Sequence, residues 1–229
     1  DGGYNGTIIK LGKEFSNIEI LNDGNLLVGA ACLDKKIANF ALENSFKDFE
    51  FLSCIPGSIG GAIAMNCGCY GYEISKLVIS VNTVTLDGKL KSFNKDQIKF
   101  FYRGSDFGEP VVITSVKLKA SKGIKKEIQE KQDQFLVQKK KSQPSQIKTC
   151  GSTFKNPGNK KAWELIKDSG CINLRVGGAK LSNQHCNFFV NDGNATSKDI
   201  ELLIESVKNK VYLKTGIKLD LEIKIVGKN

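Results

Sequence analysis

An arginine beside a cluster of aromatic residues is the first place where this sequence could do chemistry. Arg103 follows Phe100, Phe101 and Tyr102, and the only other arginine in the chain is Arg175. A guanidinium beside aromatic rings can stack on them or hold an anion through two parallel hydrogen bonds. The alternative is a surface arginine just beyond the edge of a strand.

A serine in a glycine-containing loop is the second candidate. Ser152 lies in the segment Cys150-Gly-Ser-Thr-Phe-Lys-Asn-Pro-Gly158, where Gly151 frees the backbone around it. Lys155 and Asn156 follow closely enough to reach an anionic or amide ligand. The same segment could be a polar loop that caps a following helix, and the residues alone leave both interpretations open.

The third candidate is the glycine-rich segment Ile55–Gly71, which contains five glycines. A helix opening within Ser58–Met65 could point its free backbone amides at an anion. The order of the glycines matches neither the dinucleotide fingerprint nor the P-loop, and no lysine follows them. A tight turn with close helix–strand packing is therefore an equally good interpretation of this segment.

The fourth candidate is Glu222, near the end of the chain. In the segment Leu219–Val226 every second residue is apolar, so a strand would place Leu219, Leu221, Ile223 and Ile225 on one face. Glu222 then points to the opposite face. A carboxylate in such a position is either a solvated surface group or a site residue.

Composition limits the classes of partner. Lysine and arginine total 34 against 24 aspartate and glutamate, a net charge of +10. The lysines are dispersed, and the run Lys139–Lys141 has no interleaved aromatic residues, so we expect no nucleic-acid partner. No apolar run approaches the roughly 20 residues that span a bilayer, so we expect no membrane insertion.

The cysteines and the single histidine give no metal pattern. Seven cysteines form no C-x-x-C pair, and His185 stands alone, so we predict no metal site and a structural role for this histidine. An odd number of cysteines among apolar neighbours is typical of reduced, buried thiols in a cytoplasmic protein.

The elements that must position these candidates follow from periodicity and turn residues. Strands and helices mix without regular βαβ alternation, which favours an α+β fold. We predict strands joined by a turn within 4–31, a hairpin over 77–93, a strand over 111–119 and a final strand over 219–226. We predict helices over 35–46 with Asp34 as its cap and Ile37, Phe40 and Ala41 inward, over 123–142, over 160–169 with Ala162, Trp163, Leu165 and Ile166 inward, and over 198–215.

Together the candidate segments, in this order, resemble the UDP-N-acetylenolpyruvoylglucosamine reductase (MurB) family of peptidoglycan synthesis. The resemblance covers essentially the whole chain and is carried by Ile55-Pro-Gly-Ser-Ile-Gly-Gly-Ala62, Asn66-Cys-Gly-Cys-Tyr-Gly71, Tyr102-Arg-Gly-Ser105, Gly151-Ser-Thr-Phe-Lys-Asn-Pro157, Gly177-Gly-Ala-Lys-Leu-Ser182, His185-Cys-Asn187 and Leu221-Glu222. Several spaced motifs in one order are far more specific than any single motif.

The resemblance implies an activity and a catalytic set. Family members use FAD and NADPH to reduce the enolpyruvyl group of UDP-N-acetylglucosamine enolpyruvate to UDP-N-acetylmuramate. By resemblance Ser152 donates a proton to carbon, while Arg103 and Glu222 stabilise the enol and carboxylate.

The resemblance also implies binding residues for cofactor and substrate. The substrate contacts implied are Tyr102, Lys155, Asn156 and Lys180. The FAD contacts implied are Ile55, Pro56, Gly57, Ser58, Gly60, Gly61, Ala62 and Arg103.

The implied architecture has two domains. We expect an FAD-binding domain of the vanillyl-alcohol-oxidase/p-cresol-methylhydroxylase type over 1–122, lacking its N-terminal segment, then a connecting helix over 123–145. A smaller α+β substrate-binding domain with a C-terminal catalytic strand then covers 146–229. The sequence resembles the shorter type of the family, without a tyrosine-loop insertion.

The family setting implies a monomer in the cytoplasm that serves cell wall biogenesis, cell shape and cell division. Two alternatives stay open. One is another FAD-linked oxidoreductase of the same superfamily with a different acceptor. The other is a flavin-free fragment that binds a nucleotide sugar.

Overall fold

The computed structural model describes residues 2–227, which form two compact units. The larger unit is Ile9–Lys139, and the smaller unit combines Lys140–Asn229 with Asp1–Ile8. The division falls between residues 139 and 140, inside the long third helix. Each unit has a hydrophobic core of its own.

The larger unit is built on antiparallel strands and three helices. Its strands are β1 (Ile18–Ile20), β2 (Leu26–Gly29), β3 (Phe46–Lys47), β4 (Gly68–Cys69), β5 (Tyr72–Glu73), β6 (Val78–Thr85), β7 (Leu90–Asn94), β8 (Lys99–Phe101), β9 (Gly104–Asp106), β10 (Val111–Leu118) and β11 (Ser121–Lys122). Its helices are α1 (Asp34–Glu43), α2 (Ile59–Ala64) and α3 (Lys125–Ser142), which runs past the unit's end, and short 3-10 helices lie at Lys13–Ser16, Glu50–Cys54, Ile74–Lys76 and Lys95–Gln97.

One five-stranded antiparallel sheet, in the order β1-β2-β10-β6-β7, carries this unit. The predicted turns are where the strands reverse, because Gly24 and Gly88 take φ of 79° and 83° that other residues rarely adopt. The hairpins expected from the alternating pattern are confirmed. Three two-stranded ribbons, β3 with β11, β4 with β5 and β8 with β9, complete the unit.

Helix α1 differs from the prediction at its start. Asp34 is the first helical residue and Leu33 the N-cap residue, and the Asp34 side chain makes no capping bond. The backbone N–H of Asp34 instead donates to the Gly57 carbonyl at 3.1 Å, which holds the residue inside the fold. Ile37 and Ala41 are buried as predicted, whereas Ala38 takes the inward position expected for the half-buried Phe40.

Helix α3 runs over Lys125–Ser142 and buries few residues. Its inward side carries Ile128 and Gln132, and Phe135 stacks on Tyr70 with ring centroids 5.1 Å apart. Lys131 lies 3.4 Å from the buried Glu50 carboxylate. The helix is therefore largely solvated, as its polar sequence predicts.

The smaller unit is a four-stranded antiparallel sheet covered by two helices. The elements of this unit are β12 (Thr149–Ser152), α4 (Ala162–Asp168), β13 (Arg175–Val176), β14 (Ala179–Leu181), β15 (Phe188–Asn191) and α5 (Ser197–Thr215). The sheet order is β12-β15-β14-β13. Helix α5 begins with a capping box between Thr196 and Asp199 and ends at Gly216, whose φ is 69°.

Two predictions for this unit are wrong. Trp163 is 38% exposed. The buried face of α4 consists of Ala162, Leu165 and Ile166, and Trp163 follows Ala162 by one position, which is a rotation of about 100° around the helix, away from that face. The predicted strand over 219–226 is reduced to one bridge between Phe154 and Leu221. The first part of the predicted apolar face is directed inward, since Leu219 is 2% exposed and Leu221 and Ile223 pack against the core, but Ile225 is 50% exposed and no ladder forms.

Candidate active site

A cavity of about 930 Å³ lies in the larger unit against the glycine-rich segment. Its lining combines glycines and other small residues, several larger apolar side chains and two lysines. Its lining residues are Ile9, Lys10, Leu11, Gly12, Lys13, Ser16, Ala30, Ala31, Leu33, Gly57, Ser58, Gly60, Gly61, Ala64, Val111 and Ile113.

The cavity residues Gly57, Ser58, Gly60 and Gly61 form what we call the glycine wall, and the structure requires or favours its glycines for different physical reasons. Gly60 packs helix α2 against the segment after β2, because a Cβ there would lie 3.0 Å from the Ala30 side chain and carbonyl. Gly61 faces open space, since its Cβ would meet nothing within 4 Å. Gly57 has a φ of 146°, which side chains rarely adopt. The glycine wall therefore presents mainly backbone atoms to the cavity.

This cavity fits the FAD that the sequence resemblance implies. Bare glycine backbone allows close approach of a bulky planar or phosphorylated group, and the ammonium groups of Lys10 and Lys13 suit a diphosphate. Of the implied contacts, Gly57, Ser58, Gly60 and Gly61 line the cavity. Ile55 and Ala62 pack into the hydrophobic core instead, and Pro56 is exposed beside it.

Arg103 occupies the tip of the β8–β9 hairpin. It has a φ of 58°, and its guanidinium carbon lies 4.8 Å from the centre of the Tyr102 ring. The hairpin needs Gly104, because a Cβ there would lie 2.2 Å from the Phe101 ring. Tyr102 and Arg103 are therefore presented together by a two-residue turn.

Ser152 is re-aimed by an irregularity in β12. Thr149 pairs with Val190 and Ser152 with Phe188, so the four residues 149–152 on β12 lie opposite the three residues 188–190 on β15. Gly151 absorbs the extra residue with a φ of 88°. Such bulges turn a side chain out of the regular pleat and are common beside active sites.

The segment after Ser152 is clamped by a buried amide. The Asn187 side chain donates to the Phe154 carbonyl at 2.9 Å, and its oxygen accepts from the Phe154 N–H at 3.0 Å. Asn187 also accepts from the Thr153 N–H through its own carbonyl at 2.8 Å. The backbone at residues 153–154 is therefore fixed on both sides.

Glu222 is brought next to this clamped segment. Its backbone N–H donates to the Thr153 carbonyl at 2.9 Å, and the Lys155 N–H donates to the Asp220 carbonyl at 2.9 Å. The carboxylate is half-buried. The smaller unit thus places Glu222 one residue away from Ser152 across a backbone pair.

Lys180 and Asn156 have structural partners. Asn156 accepts from the Ala162 N–H at 2.9 Å, so it supports the start of α4 as well as following Ser152. The Lys180 ammonium lies 2.7 Å from Asp192, which also accepts from Arg175. Both cations lower the pKa of Asp192 below its usual range, with Lys180 the larger cause.

The register of the sheet places Lys180 and Ser152 on one face. Lys180 lies opposite Val190 and Ser152 lies opposite Phe188. Val190 and Phe188 are two residues apart on β15 and therefore point to the same face, and paired residues share a face, so Lys180 and Ser152 do as well. The opposite face carries Leu181 and packs into the core. One sheet face therefore bears the serine and a cation.

The histidine and cysteines behave as structural residues with one exception. His185 lies 4.9 Å from the Phe188 ring, its Nδ1 accepts from the Asn187 N–H at 3.3 Å, and burial lowers its pKa. All seven thiols are free, and Cys150 is exposed, contrary to the expectation of burial. Burial raises the pKa of Cys32, Cys67, Cys69, Cys171 and Cys186.

Residues 2–227 contain neither a metal-binding group of three or more His, Cys, Asp or Glu nor a helix long and apolar enough to cross a membrane.

Three features of the site were not found from sequence. Lys10 and Lys13 stand at the cavity although their segment gave only a strand pattern, and no sequence signal distinguishes them from other lysines. Asn187 appeared only inside a motif. Asp34 was assigned to a helix cap, yet it is a fully buried carboxyl behind the cavity wall.

Comparisons with known proteins agree with this geometry. A family model described as UDP-N-acetylenolpyruvoylglucosamine reductase, C-terminal domain, matches residues 143–226, and a model described as FAD binding domain matches residues 1–94.

Named relatives extend the match over the whole chain. The UDP-N-acetylenolpyruvoylglucosamine reductase of Pelagibacter ubique is 45% identical over 229 residues, covering 99% of this chain and 76% of the relative. The enzyme of that name from Rickettsia bellii is 41% identical over 228 residues, covering 100% and 76%.

A solved structure supports the same assignment. The structure of UDP-N-acetylenolpyruvylglucosamine reductase (MurB) from Thermus caldophilus superposes with a TM-score of 0.83 at 30% identity, covering 95% of this chain and 77% of that one. The cavity with its glycine wall, the bulged serine strand and these relatives lead to one conclusion: the chain belongs to the UDP-N-acetylenolpyruvoylglucosamine reductase family, the FAD-dependent UDP-N-acetylmuramate dehydrogenases of peptidoglycan synthesis.

Proposed function

We propose that Ser152, Arg103 and Glu222 are the catalytic residues with which this chain reduces the enolpyruvyl group of UDP-N-acetylglucosamine enolpyruvate to the lactyl ether of UDP-N-acetylmuramate. The observation that carries this proposal is the bulge at Gly151, which turns Ser152 out of the pleat beside the backbone of Glu222. An ordinary strand serine needs no such irregularity.

Ser152 supplies the proton. When FAD is bound, it carries hydride from NADPH to the methylene carbon of the enolpyruvyl group. The neighbouring carbon is then carbanion-like and conjugated with the carboxylate as an enolate. The Ser152 hydroxyl gives its proton to that carbon, and solvent later restores the hydroxyl, so one hydride and one proton are added across the double bond.

Arg103 and Glu222 manage the charge. The guanidinium offers a fixed fork of donors to the carboxylate oxygens on which negative charge develops. Glu222 is proposed to polarise the enol side of the intermediate. Both groups act on the intermediate more strongly than on the substrate, which is the condition for accelerating the reaction.

Substrate binding falls to polar and cationic residues. Lys180 lies on the face of the sheet that carries Ser152, and Lys155 follows Ser152 by three positions. With Asn156 and Tyr102, they are proposed to hold the diphosphate and carboxylate of the nucleotide sugar. The net charge of +10 favours such an anionic substrate.

FAD is proposed to occupy the cavity of the larger unit. The proposed contacts are Gly57, Ser58, Gly60 and Gly61, which line the cavity, together with Arg103, and Lys10 and Lys13 are added here on the basis of the lining. Gly61 supports this assignment most directly, because its missing side chain leaves open space in the cavity.

The wider context is proposed from the family. The FAD-binding domain is assigned to 1–122, the connecting helix to 123–145 and the substrate-binding domain to 146–229. We propose a monomer that works in the cytoplasm and whose product serves cell wall biogenesis, cell shape and cell division.

Replacing the serine tests the central assignment. In Ser152→Ala, NADPH should still bleach the visible flavin absorbance at the normal rate, while substrate turnover falls about a thousandfold, because only proton delivery is lost. The measurement is stopped-flow absorbance of the two half-reactions.

The control is Ser169→Ala in the same unit, which removes a buried hydroxyl that has no hydrogen-bond partner and should leave turnover unchanged. Equal loss of both half-reactions in Ser152→Ala would show that this serine is not the proton donor.

A further inference from the structure

Asp34 is a buried carboxyl with an unmet need for hydrogen bonds. Its relative exposure is 0%, and neither carboxyl oxygen has a hydrogen-bond partner among residues 2–227. A buried polar group without partners is costly, and such groups in native structures call for a functional explanation. The proposed catalytic residues do not include it.

The position of Asp34 ties it to the glycine wall. Its N–H donates to the Gly57 carbonyl at 3.1 Å, and the preceding Leu33 forms a bridge with Ser58. A Cβ on Gly57 would lie 3.7 Å from Oδ2 of Asp34. Leu33, Gly57 and Ser58 line the cavity and Asp34 does not, so the carboxyl stands directly behind the wall.

The electrostatic surroundings leave the charge of this carboxyl undecided near neutral pH. Burial raises the pKa of Asp34 to about 7, and the amino end of α1 acts in the opposite sense. Lys36, two residues later in α1, donates a hydrogen bond from its ammonium group to the Ser16 carbonyl at 3.3 Å. The thiols of Cys32 and Cys67 both respond to the Asp34 charge. The other ionisable groups on α1 are Lys35, Lys36 and Glu43, and the 3-10 helix packed against α1 carries Glu50 and Cys54.

None of those neighbours shares the role. Burial keeps the thiols of Cys32 and Cys67 protonated, because it raises their pKa values. Burial is the cause of the raised pKa of Asp34, and within residues 2–227 no cation donates a hydrogen bond to either of its oxygens. Asp34 is thus the group behind the wall whose charge can change when an anion arrives.

We propose that Asp34 is a positioning residue that couples FAD binding to proton uptake, its carboxyl being protonated when FAD occupies the cavity and in that neutral form supporting the Gly57–Ser58 wall. The inference rests on the proposed assignment of the cavity to FAD. A diphosphate in the cavity adds negative potential, which favours the neutral carboxyl, and by reciprocity protonation of Asp34 then strengthens FAD binding.

The pH dependence of FAD affinity tests the coupling. For the wild-type protein, the Kd for FAD, measured by quenching of flavin fluorescence, should be about tenfold higher at pH 8.5 than at pH 6. Above the pKa that Asp34 has in the FAD-free protein, binding of FAD must be accompanied by protonation of this carboxyl, so affinity falls as pH rises. Binding at pH 7.5 in weak buffer should consume a measurable fraction of a proton per FAD, detected with an indicator dye.

Two variants separate titration from packing. Asp34→Asn keeps the size and polarity of the side chain, and Asp34→Leu is an apolar replacement of similar size, so at least one should fold. Both should bind FAD with a nearly pH-independent Kd and without proton uptake. A wild-type slope that persists in the folded variant, or a wild-type Kd without a slope, would overturn the role of Asp34.

The assignment of the cavity is tested separately with Gly61→Leu, which should fill open space and weaken FAD binding at every pH. Unchanged binding in that variant would overturn the cavity assignment and with it the inference on Asp34. A weakened Gly61→Leu together with a pH-independent wild type would overturn the inference on Asp34 alone.

Discussion

Lys180 forms an ion pair with Asp192. Asp192 accepts from both Lys180 and Arg175, so the lysine is positioned on the Ser152 face while its charge is partly balanced. Exposed pairs of this kind contribute little to folding. The residue-scale expectation is therefore an effect on binding rather than on stability.

Lys180→Ala should raise the KM for the nucleotide-sugar substrate about tenfold with kcat nearly unchanged, because it removes one charge-assisted hydrogen bond to an anion. Steady-state kinetics gives both constants. Arg175→Ala is the matched control, since it removes the other partner of Asp192 and should leave KM nearly unchanged. An equal rise in KM in both variants would speak against substrate contact by Lys180.

Asp34 should also make stability depend on pH. The unfolded carboxyl ionises near 3.8, whereas the folded one does so near 7. Between these values the unfolded state gains charge and the folded state does not, so the free energy of unfolding falls as pH rises. Asp34→Asn should therefore gain stability over wild type from pH 4 to 7, by roughly 4 kcal/mol at most, and hold that gain above pH 7.

Thermal unfolding at several pH values measures this difference. Asp23 is a control of opposite sign, because its hydrogen bond from Lys117 lowers its pKa to about 2. Asp23→Asn should lose stability relative to wild type as pH rises from 2 to 4. A pH-independent difference for Asp34→Asn would mean that its carboxyl is not buried in the neutral form.

At the residue scale, the sequence draws attention to candidates that have distinctive neighbours in the chain. Ser152 stands next to a glycine, and Arg103 follows three aromatics. Asp34 and Asn187 depend on partners that are distant in sequence, Gly57 and Phe154, and no local pattern announces such a pair. Asp34 in particular has the sequence context of an ordinary helix cap.

The decisive element is the bulge in β12. Gly151→Ala should remove about 1 kcal/mol of stability because a φ of 88° is unfavourable for a side chain. It should also lower kcat tenfold or more by straightening the strand that presents Ser152. Circular dichroism melting and steady-state kinetics provide the two readouts.

Gly170→Ala is the matched control for the bulge. Gly170 has a φ of 69°, and a Cβ there would meet nothing within 4 Å, so the backbone strain is alike. It lies beyond α4, outside the proposed site. A similar fall of kcat in both variants would indicate that strain alone, rather than the aim of Ser152, reduces activity.

Elements with strong local signals were predicted well, and the last segment was not. Helix α5 has a capping box and a terminal glycine, so its limits follow from local chemistry. The alternation over 219–226 gave the inward face for Leu219, Leu221 and Ile223 but not for the exposed Ile225. It could not give the number of backbone hydrogen bonds that the segment makes, which depends on how far the chain around Phe154 extends parallel to it.

On the scale of the whole molecule, the two separate cores suggest two separately responding units. FAD at 100 times its Kd should stabilise the unit that binds it by about 2.7 kcal/mol. Hydrogen exchange should then slow in β6 of the larger unit, while α5 of the smaller unit changes little. Mass spectrometry of peptides from the two elements measures this.

A core truncation provides the converse control. Ile204→Ala in α5 removes buried atoms from the smaller core and should destabilise that unit by roughly 2–4 kcal/mol, with faster exchange in α5 but not in β6. Equal changes in both elements, with either FAD or the truncation, would show that the chain responds as one cooperative body.

The exposed Cys150 makes the protein a ready-made spectroscopic reporter. It is the single exposed thiol among the seven, all of which lie in the described part of the chain, and it stands two residues before Ser152. A maleimide dye or nitroxide should therefore attach there without any engineered cysteine. The label would sit at the edge of the bulged strand, so its emission or spectral width could record substrate arrival in real time in the otherwise unaltered protein.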